Sequence, residues 1–204
     1  MRTVLLDLWK GLKSSESDAI SKFERLLEAT HYSTVKCGCR DYSVLSGLVL
    51  KASITLLRYT DILHADRAYY EAGIEARAAG RNSEAFVFLN HFLDLEECIE
   101  EGDNTVMDVE DLTVTDFPVE VPLPETLSLT AEQREEAREW VLAMSMDQKV
   151  EQVLPTDHRA VYVGSLTAPS VGSGYLQGCI LTGYPIRGPI IRFAEVFEML
   201  SMNF

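Results

Sequence analysis

The fold class is decided by one stretch of the chain, Asp66-Arg67-Ala68-Tyr69-Tyr70-Glu71-Ala72-Gly73-Ile74-Glu75-Ala76-Arg77-Ala78-Ala79-Gly80-Arg81-Asn82-Ser83-Glu84-Ala85-Phe86-Val87-Phe88-Leu89. On each side of Gly80, apolar residues recur at three- and four-residue steps, which is the pattern of amphipathic helices. Asp66 can cap the first helix, and Asn82 or Ser83 can cap the second. The sequence therefore predicts a helical hairpin that turns at Gly80.

The spacing inside this hairpin resembles the tetratricopeptide pattern. If Gly73 is taken as position 8 of a repeat of about 34 residues, Tyr69 falls at position 4, Gly80 at 15, Ala85 at 20 and Leu89 at 24. Small residues at such positions let two helices approach closely. One repeat is visible, so a solenoid is inferred from helix lengths and short turns. A generic antiparallel bundle is the alternative.

The chain before the hairpin is also predicted to be helical. Three apolar stripes carry this prediction: Leu5, Leu8 and Trp9; Phe23, Leu26, Leu27 and Thr30; and Val44, Leu45, Leu48, Ala52, Thr55 and Leu56. Their three- and four-residue steps are those of helices with one buried face. Residues 1–101 are therefore predicted to form a mainly α, tetratricopeptide-like region.

Residues 102–129 are predicted to form an extended acidic linker. The sequence has no Lys or Arg between Arg81 and Arg134, and twelve carboxylates lie between Asp94 and Glu125. Prolines at 118, 122 and 124 favour extended backbone before them. Alternating apolar residues predict a face that docks on a neighbouring surface: Phe117, Val119, Val121 and Leu123. A flexible, solvated linker is the alternative.

Residues 130–204 are predicted to form a small helical domain with a short β-hairpin. Thr130 with Gln133 has the spacing of a capping box, and Ser145 with Gln148 repeats it before a second helix that ends at Leu154. The two short strands are placed at 179–181 and 190–193.

Charge and composition exclude several classes of function. The 204 residues carry a net charge of −14, with a pI near 4.7, so nucleic acid is not expected as a partner. Neither a bilayer-spanning apolar run nor a signal peptide is visible, so we expect an intracellular chain without membrane insertion. Four scattered cysteines are expected to stay as thiols. We predict no catalytic residue, no metal site and no cofactor, because the corresponding motifs are missing.

Five strings of the sequence carry a resemblance to a known family: Arg134-Glu135-Glu136-Ala137-Arg138-Glu139-Trp140-Val141-Leu142, Ser145-Met146-Asp147-Gln148-Lys149-Val150-Glu151-Gln152-Val153-Leu154-Pro155, Leu181-Thr182-Gly183-Tyr184-Pro185-Ile186, Tyr70-Glu71-Ala72-Gly73-Ile74 and Val119-Glu120-Val121-Pro122-Leu123-Pro124. They resemble the C-terminal end of the intraflagellar transport protein 172 family. The resemblance covers residues 15 to 187. It implies a subunit of transport complex B, with complex B and complex A subunits as partners. It also implies location at the cilium and ciliary base.

The family's terminal domain is similar to a U-box, the zinc-free relative of the RING fold. Cys179-Ile180-Leu181-Thr182, Pro185-Ile186 and Pro189-Ile190 resemble the first half of that pattern, which implies a partial U-box-like end. The resemblance places Leu181 where ubiquitin ligases touch a conjugating enzyme. The candidate partner-binding residues are Ile180, Leu181, Pro185, Pro189 and Ile190.

The function expected from the sequence is a non-catalytic structural or adaptor role through protein–protein contacts. A ubiquitin-binding module or weak U-box-type ligase, with ubiquitin or a conjugating enzyme as partner, is the alternative. The last residues add an apolar stripe: Phe193, Val196, Phe197 and Leu200. This stripe predicts a short amphipathic helix that covers Leu181 and Ile190 or stays exposed.

Overall fold

The computed structural model describes residue 4 and residues 17–102, 109–147, 149–167 and 175–188. Within the described ranges the fold is mainly α and has no sheet. Its five helices are α1 (Ser17–Cys39), α2 (Ser46–Leu56), α3 (Ala65–Ala78), α4 (Asn82–Glu101) and α5 (Ala131–Ser145). Short 3-10 turns lie at Ser43–Leu45, Leu57–Tyr59 and Glu110–Leu112. Two isolated antiparallel bridges, Thr156–Tyr162 and Gly178–Pro185, are the β-structure of these ranges.

Helices α3 and α4 form the predicted hairpin. Gly80 ends the first helix at a φ of +71°, a conformation that glycine adopts without steric cost. Where the helices touch, a Cβ on Gly73 would lie 2.5 Å from Leu89 Cγ. Ala72, Ala76 and Ala85 are fully buried in the same hairpin. The small residues therefore set the close approach of the helices. Assignment to the tetratricopeptide family stays a prediction.

The caps of the helices differ in part from those expected. The capping box of Thr130 and Gln133 is present at the start of α5. The prediction that Asp66 caps α3 is wrong, because His64 holds the N-cap position and Asp66 lies inside the first turn. From there the Asp66 carboxylate accepts hydrogen bonds from Ser128 N (3.0 Å) and Ser128 Oγ (3.2 Å). At α4, Arg81 is the N-cap and makes no side-chain cap bond.

The second helix predicted after α5 is not formed. The Asp147 carboxylate accepts a hydrogen bond from Lys149 N (3.0 Å), and Gln152 Nε2 donates to Ser145 O (3.1 Å). These bonds turn the chain back toward the end of α5, because a short side chain that binds the backbone two residues on favours a turn over a helix.

The first predicted β-strand is replaced by a turn. Residues 180–182 are in a turn, closed by the bond from Gly183 N to Cys179 O (2.6 Å). Other predicted elements fall outside the described residues: the stripe of Leu5, Leu8 and Trp9, the cap residue Gln148, the strand at 190–193 and the C-terminal helix.

The core joins residues from all three ranges predicted as separate regions. Phe88 of α4, Phe117 and Tyr162 pack with their ring centroids 5.9–6.4 Å apart. They belong to one cluster of buried apolar side chains that runs from Leu50 to Tyr184. The domain boundaries themselves stay a prediction. None of the described helices combines the length and apolar character that crossing a bilayer requires.

Candidate functional site

The segment 175–186, here called the 175–186 loop, contains those of the predicted partner-binding residues that the structure describes: Ile180, Leu181 and Pro185. Three backbone hydrogen bonds close it: Cys179 N to Tyr184 O (2.9 Å), Gly183 N to Cys179 O (2.6 Å) and Ile186 N to Gln177 O (2.9 Å). These bonds, together with the bridge between Gly178 and Pro185, fix the loop without a regular strand.

The loop presents apolar side chains to solvent. Ile180 is 72% exposed and Leu181 is 48% exposed, and the nearby Tyr175 is also exposed. Pro185, which the sequence placed in the same partner-binding set, is buried, so it does not share the exposure of Ile180 and Leu181. Pro189 and Ile190 lie outside the described residues.

A buried arginine supports the loop from below. Arg58, in the 3-10 turn after α2, donates from Nη1 to Gly183 O (3.0 Å) and from Nη2 to Gly164 O. Its Nε donates to the carboxylate of Asp116 (3.1 Å), and Asp116 in turn accepts from Leu166 N (2.8 Å). One guanidinium therefore joins the helical region, the segment that contains Asp116 and the 175–186 loop.

Two further contacts bring the loop against the helices. Gly183 has a φ of +66°, and a Cβ there would lie 2.3 Å from Thr55 Cγ2 and 2.9 Å from Tyr32 Cζ. On α1, His31 Nε2 donates to the carbonyl of Ile180 (2.8 Å). The exposed tip of the loop is thus hydrogen-bonded to α1 while its base lies against α2.

A second arginine network holds the preceding segment. Arg159 donates to Ser165 O (2.8 Å) and Leu166 O (3.1 Å), and it pairs with the buried carboxylate of Asp157. Arg187 donates to the same carboxylate (2.7 Å). Burial alone would raise the pKa of Asp157, but the hydrogen bonds from Arg159 and Arg187 outweigh it and hold that pKa well below its ordinary value.

Cys179 is the nucleophilic side chain of the loop. Burial acts to raise the pKa of its thiol, whereas hydrogen bonds from Thr182 and from the Leu181 amide lower it, with a net shift downward. The described residues bring together no group of three His, Cys, Asp or Glu side chains that could hold a metal ion.

The linker-docking residues divide into two sets. Phe117 and Val121 are buried, and Leu123 packs half-buried against the core. Val119 is 47% exposed, so its predicted docking is wrong. The chain bends at 119–120, and strict alternation of faces requires a continuously extended chain.

Arg58, Asp116 and His31 were missed by the sequence analysis. Their partners lie between 50 and 149 residues away in sequence, so no local spacing predicts the pairs. One signal was available for Arg58: it is the charged residue in the apolar run Ile54-Thr55-Leu56-Leu57-Arg58-Tyr59. A charge at a buried position of such a run requires a partner.

Comparison with known proteins finds similar sequences among intraflagellar transport proteins. The chain is 48% identical to an intraflagellar transport protein 172 homolog of Danio rerio over 95% of its length, and 45% identical to the Homo sapiens homolog over 95%. It is 35% identical to intraflagellar transport protein 172 of Chlamydomonas reinhardtii over 81%. The chain spans 10–11% of the length of these relatives. No family model matches the chain.

Proposed function

Because this chain corresponds to the C-terminal region of intraflagellar transport protein 172 homologues, we propose that it is an adaptor region that contacts other transport subunits through the 175–186 loop. The proposed partners are subunits of complex B, with complex A subunits as further partners, and the proposed place of action is the cilium and the ciliary base. The mechanism is surface complementarity rather than chemistry.

The exposure of Ile180 and Leu181 on a well-supported loop carries this proposal. Large apolar side chains in solvent favour association, and an interface gains affinity when its anchoring residues are held in place before binding. Hydrogen bonds from His31 and Arg58 to the loop backbone supply that support. His31 lies in α1 and Arg58 lies in the 3-10 turn after α2. The helical region therefore positions the loop.

The test is a binding experiment with purified subunits. The chain is immobilised, and individual recombinant subunits of complexes A and B are passed over it. We expect at least one subunit to bind, and the double variant Ile180→Ser/Leu181→Ser to weaken that binding by about tenfold or more, because a few well-packed residues carry most of the binding energy of an interface.

A matched control uses Tyr42 and Val44, which are also exposed but lie at the turn after α1. The double variant Tyr42→Ser/Val44→Ser should retain binding within about twofold, as expected for residues outside an interface. Equal loss in both double variants, or no binding of any subunit, would contradict the proposal.

A second candidate function is a ubiquitin-pathway module. The observation that favours it is the exposure of Leu181, which the U-box resemblance places at the contact with a conjugating enzyme. The chain would be incubated with ubiquitin, activating enzyme and a panel of conjugating enzymes. Ubiquitin chain formation that Leu181→Ala abolishes would favour the module over the adaptor, and its absence across the panel would count against the ligase.

A further inference from the structure

The exposed face of α5 is acidic in its first turns and apolar at its end, whereas the opposite face is buried. Ala137 and Val141 of α5 are buried in the core. At about 100° per residue, six exposed residues of α5 share about one third of the helix circumference, and Met146 continues their row just after the helix. The six are Glu132, Glu135, Glu136, Glu139, Leu142 and Ala143, while the exposed Ala131, Arg138 and Ser145 flank this third on one side. The face is therefore acidic in its first turns and apolar at its end.

The apolar end of this face is strongly exposed. Leu142 is 64% exposed, Met146 is 80% exposed and Val153 is 56% exposed. The bond from Gln152 Nε2 to Ser145 O returns the chain to the end of α5, so Val153 lies on the segment that turns back there. By contrast, most large apolar side chains of α3 and α4 are buried.

The acidic end has carboxylates without cationic partners. Glu135 pairs with Arg138, and Glu136 pairs with Arg77. Glu132 and Glu139 make no ion pair within the part of the chain that the structure describes. Of the two arginines of α5, Arg134 is engaged by Glu96 and Glu100, and Arg138 lies beside this face, paired with Glu135. Negative charge therefore dominates this part of the surface.

We propose that this face, here called the α5 face, docks a partner protein segment that is a helix with Lys or Arg in one half and large apolar side chains in the other. The cations would meet Glu132 and Glu139, and the apolar half would cover Leu142 and Met146. Charge complementarity selects this partner, because an anionic segment or an anionic lipid surface is repelled by the same carboxylates. The α5 face shares no residue with the 175–186 loop, so it is a second contact surface.

The probe is a fluorescent peptide of about 18 residues, long enough to form a helix on contact. On one face it carries Lys in its first half and Leu in its second half. Anisotropy titration with the full chain gives the dissociation constant. We expect Leu142→Ser/Met146→Ser to weaken binding by about tenfold and Glu132→Gln/Glu139→Gln by about three- to fivefold.

Matched controls separate a docking face from general attraction between a cationic peptide and an acidic protein. Tyr42→Ser/Val44→Ser removes exposed apolar groups elsewhere, and Glu24→Gln/Asp41→Asn removes two exposed charges elsewhere. Both should keep the dissociation constant within about twofold, because they leave the α5 face intact. All substituted residues are exposed, so each variant is expected to fold, which circular dichroism checks.

Three results would overturn the proposal. The first is a control pair that weakens binding as much as the α5 pairs. The second is equally tight binding of a peptide of the same composition in scrambled order, which has no such face. The third is the absence of measurable binding of the designed peptide to the unaltered chain.

Discussion

The helical hairpin of α3 and α4 and the described residues of the segment 149–188, which are 149–167 and 175–188, are held in place by different interactions. The hairpin uses backbone hydrogen bonds within each helix and small residues where the helices touch. The described part of 149–188 has isolated bridges and turns, and buried arginines donate to its carbonyl oxygens. In the hairpin, backbone carbonyl oxygens accept hydrogen bonds from backbone N–H groups of the same helix. In the second region, several of them accept hydrogen bonds from arginine side chains instead.

This difference has an energetic consequence. Apolar packing tolerates moderate changes, because neighbouring side chains relax around them. A buried guanidinium that satisfies several acceptors cannot be replaced in this way, because its loss leaves each acceptor without a partner and without water. We therefore expect the largest destabilisation from substitutions at the arginines and smaller effects in the hairpin.

The first prediction removes the Arg58 network. Arg58→Met keeps much of the side-chain volume but leaves Gly164 O and Gly183 O without the donor that Arg58 supplies, and it leaves the Asp116 carboxylate without its cationic partner. Breaking a buried ion pair in this way should lower the free energy of unfolding by about 3–5 kcal/mol, measured by urea denaturation.

The control for this prediction is Arg138→Met. Arg138 pairs with Glu135 on the exposed side of α5, so its loss should change the free energy of unfolding by less than about 0.5 kcal/mol. Equal effects of the two substitutions would show that the segment 149–188 does not depend on Arg58.

The second prediction compares two glycines with similar backbone angles. Gly183 (φ +66°) faces Thr55 at close range, whereas Gly80 (φ +71°) has nothing within 4 Å of a built Cβ. Gly80→Ala should cost about 1–2 kcal/mol, the cost of the left-handed conformation. Gly183→Ala should cost about 2–4 kcal/mol because overpacking adds to that cost. Thermal and urea unfolding measure both, and equal costs would rule out the close approach.

The third prediction concerns the hairpin interface. At Gly73 a new Cβ would meet Leu89 Cγ at 2.5 Å, while Gly47 in α2 has open space. Gly73→Ala should lower the free energy of unfolding by about 1–2 kcal/mol, the overpacking cost less the gain in helix propensity. Gly47→Ala should raise it by up to about 1 kcal/mol. Stabilisation by both substitutions would show that Leu89 moves aside freely.

The same contrast explains how much could be predicted from the sequence. The hairpin follows from the helical period and from Gly80, because its contacts lie close in sequence. The capping box of Thr130 and Gln133 is local in the same sense and was found. The predicted helix ending at Leu154 failed because Asp147 and Gln152 bind the backbone and turn the chain.

For the candidate site, the sequence indicated the exposed residues Ile180 and Leu181 but not the side chains that hold the loop in place. Ile180 and Leu181 were proposed from a family pattern, whereas Arg58 and His31 bind carbonyls more than a hundred residues away. A carbonyl oxygen is present in every residue, so an arginine that binds one leaves no complementary residue type in the sequence. Pairs between side chains and backbone are therefore less predictable than helical stripes.

Two buried carboxylates extend the comparison to pH. In the segment 149–188, Asp157 accepts several hydrogen bonds from arginines, which hold its pKa down against the effect of burial. On α4, the Glu96 side chain is equally buried but lies 3.5 Å from Arg134, and neither of its oxygens has a hydrogen-bond partner among the residues that the structure describes. Burial raises the pKa of Glu96 to about 7, although the charges of Arg134 and Arg138 act in the opposite direction. Because Arg134 makes no hydrogen bond to Glu96, the effect of burial on the pKa of Glu96 outweighs the effect of the nearby arginines.

The last prediction follows from this raised pKa. Between the ordinary value of 4.5 and about 7, the folded chain binds more protons at Glu96 than the unfolded chain does. The contribution of Glu96 to stability therefore falls as pH rises through this window. Glu96→Gln removes this dependence and should therefore raise the free energy of unfolding at pH 8 relative to the unaltered chain, with little change at pH 4.5. Glu97→Gln, at the neighbouring exposed position, is the matched control. Urea denaturation across this range measures the slope, and an unchanged slope in Glu96→Gln would show that Arg134 stabilises the charged carboxylate as effectively as the arginines stabilise Asp157.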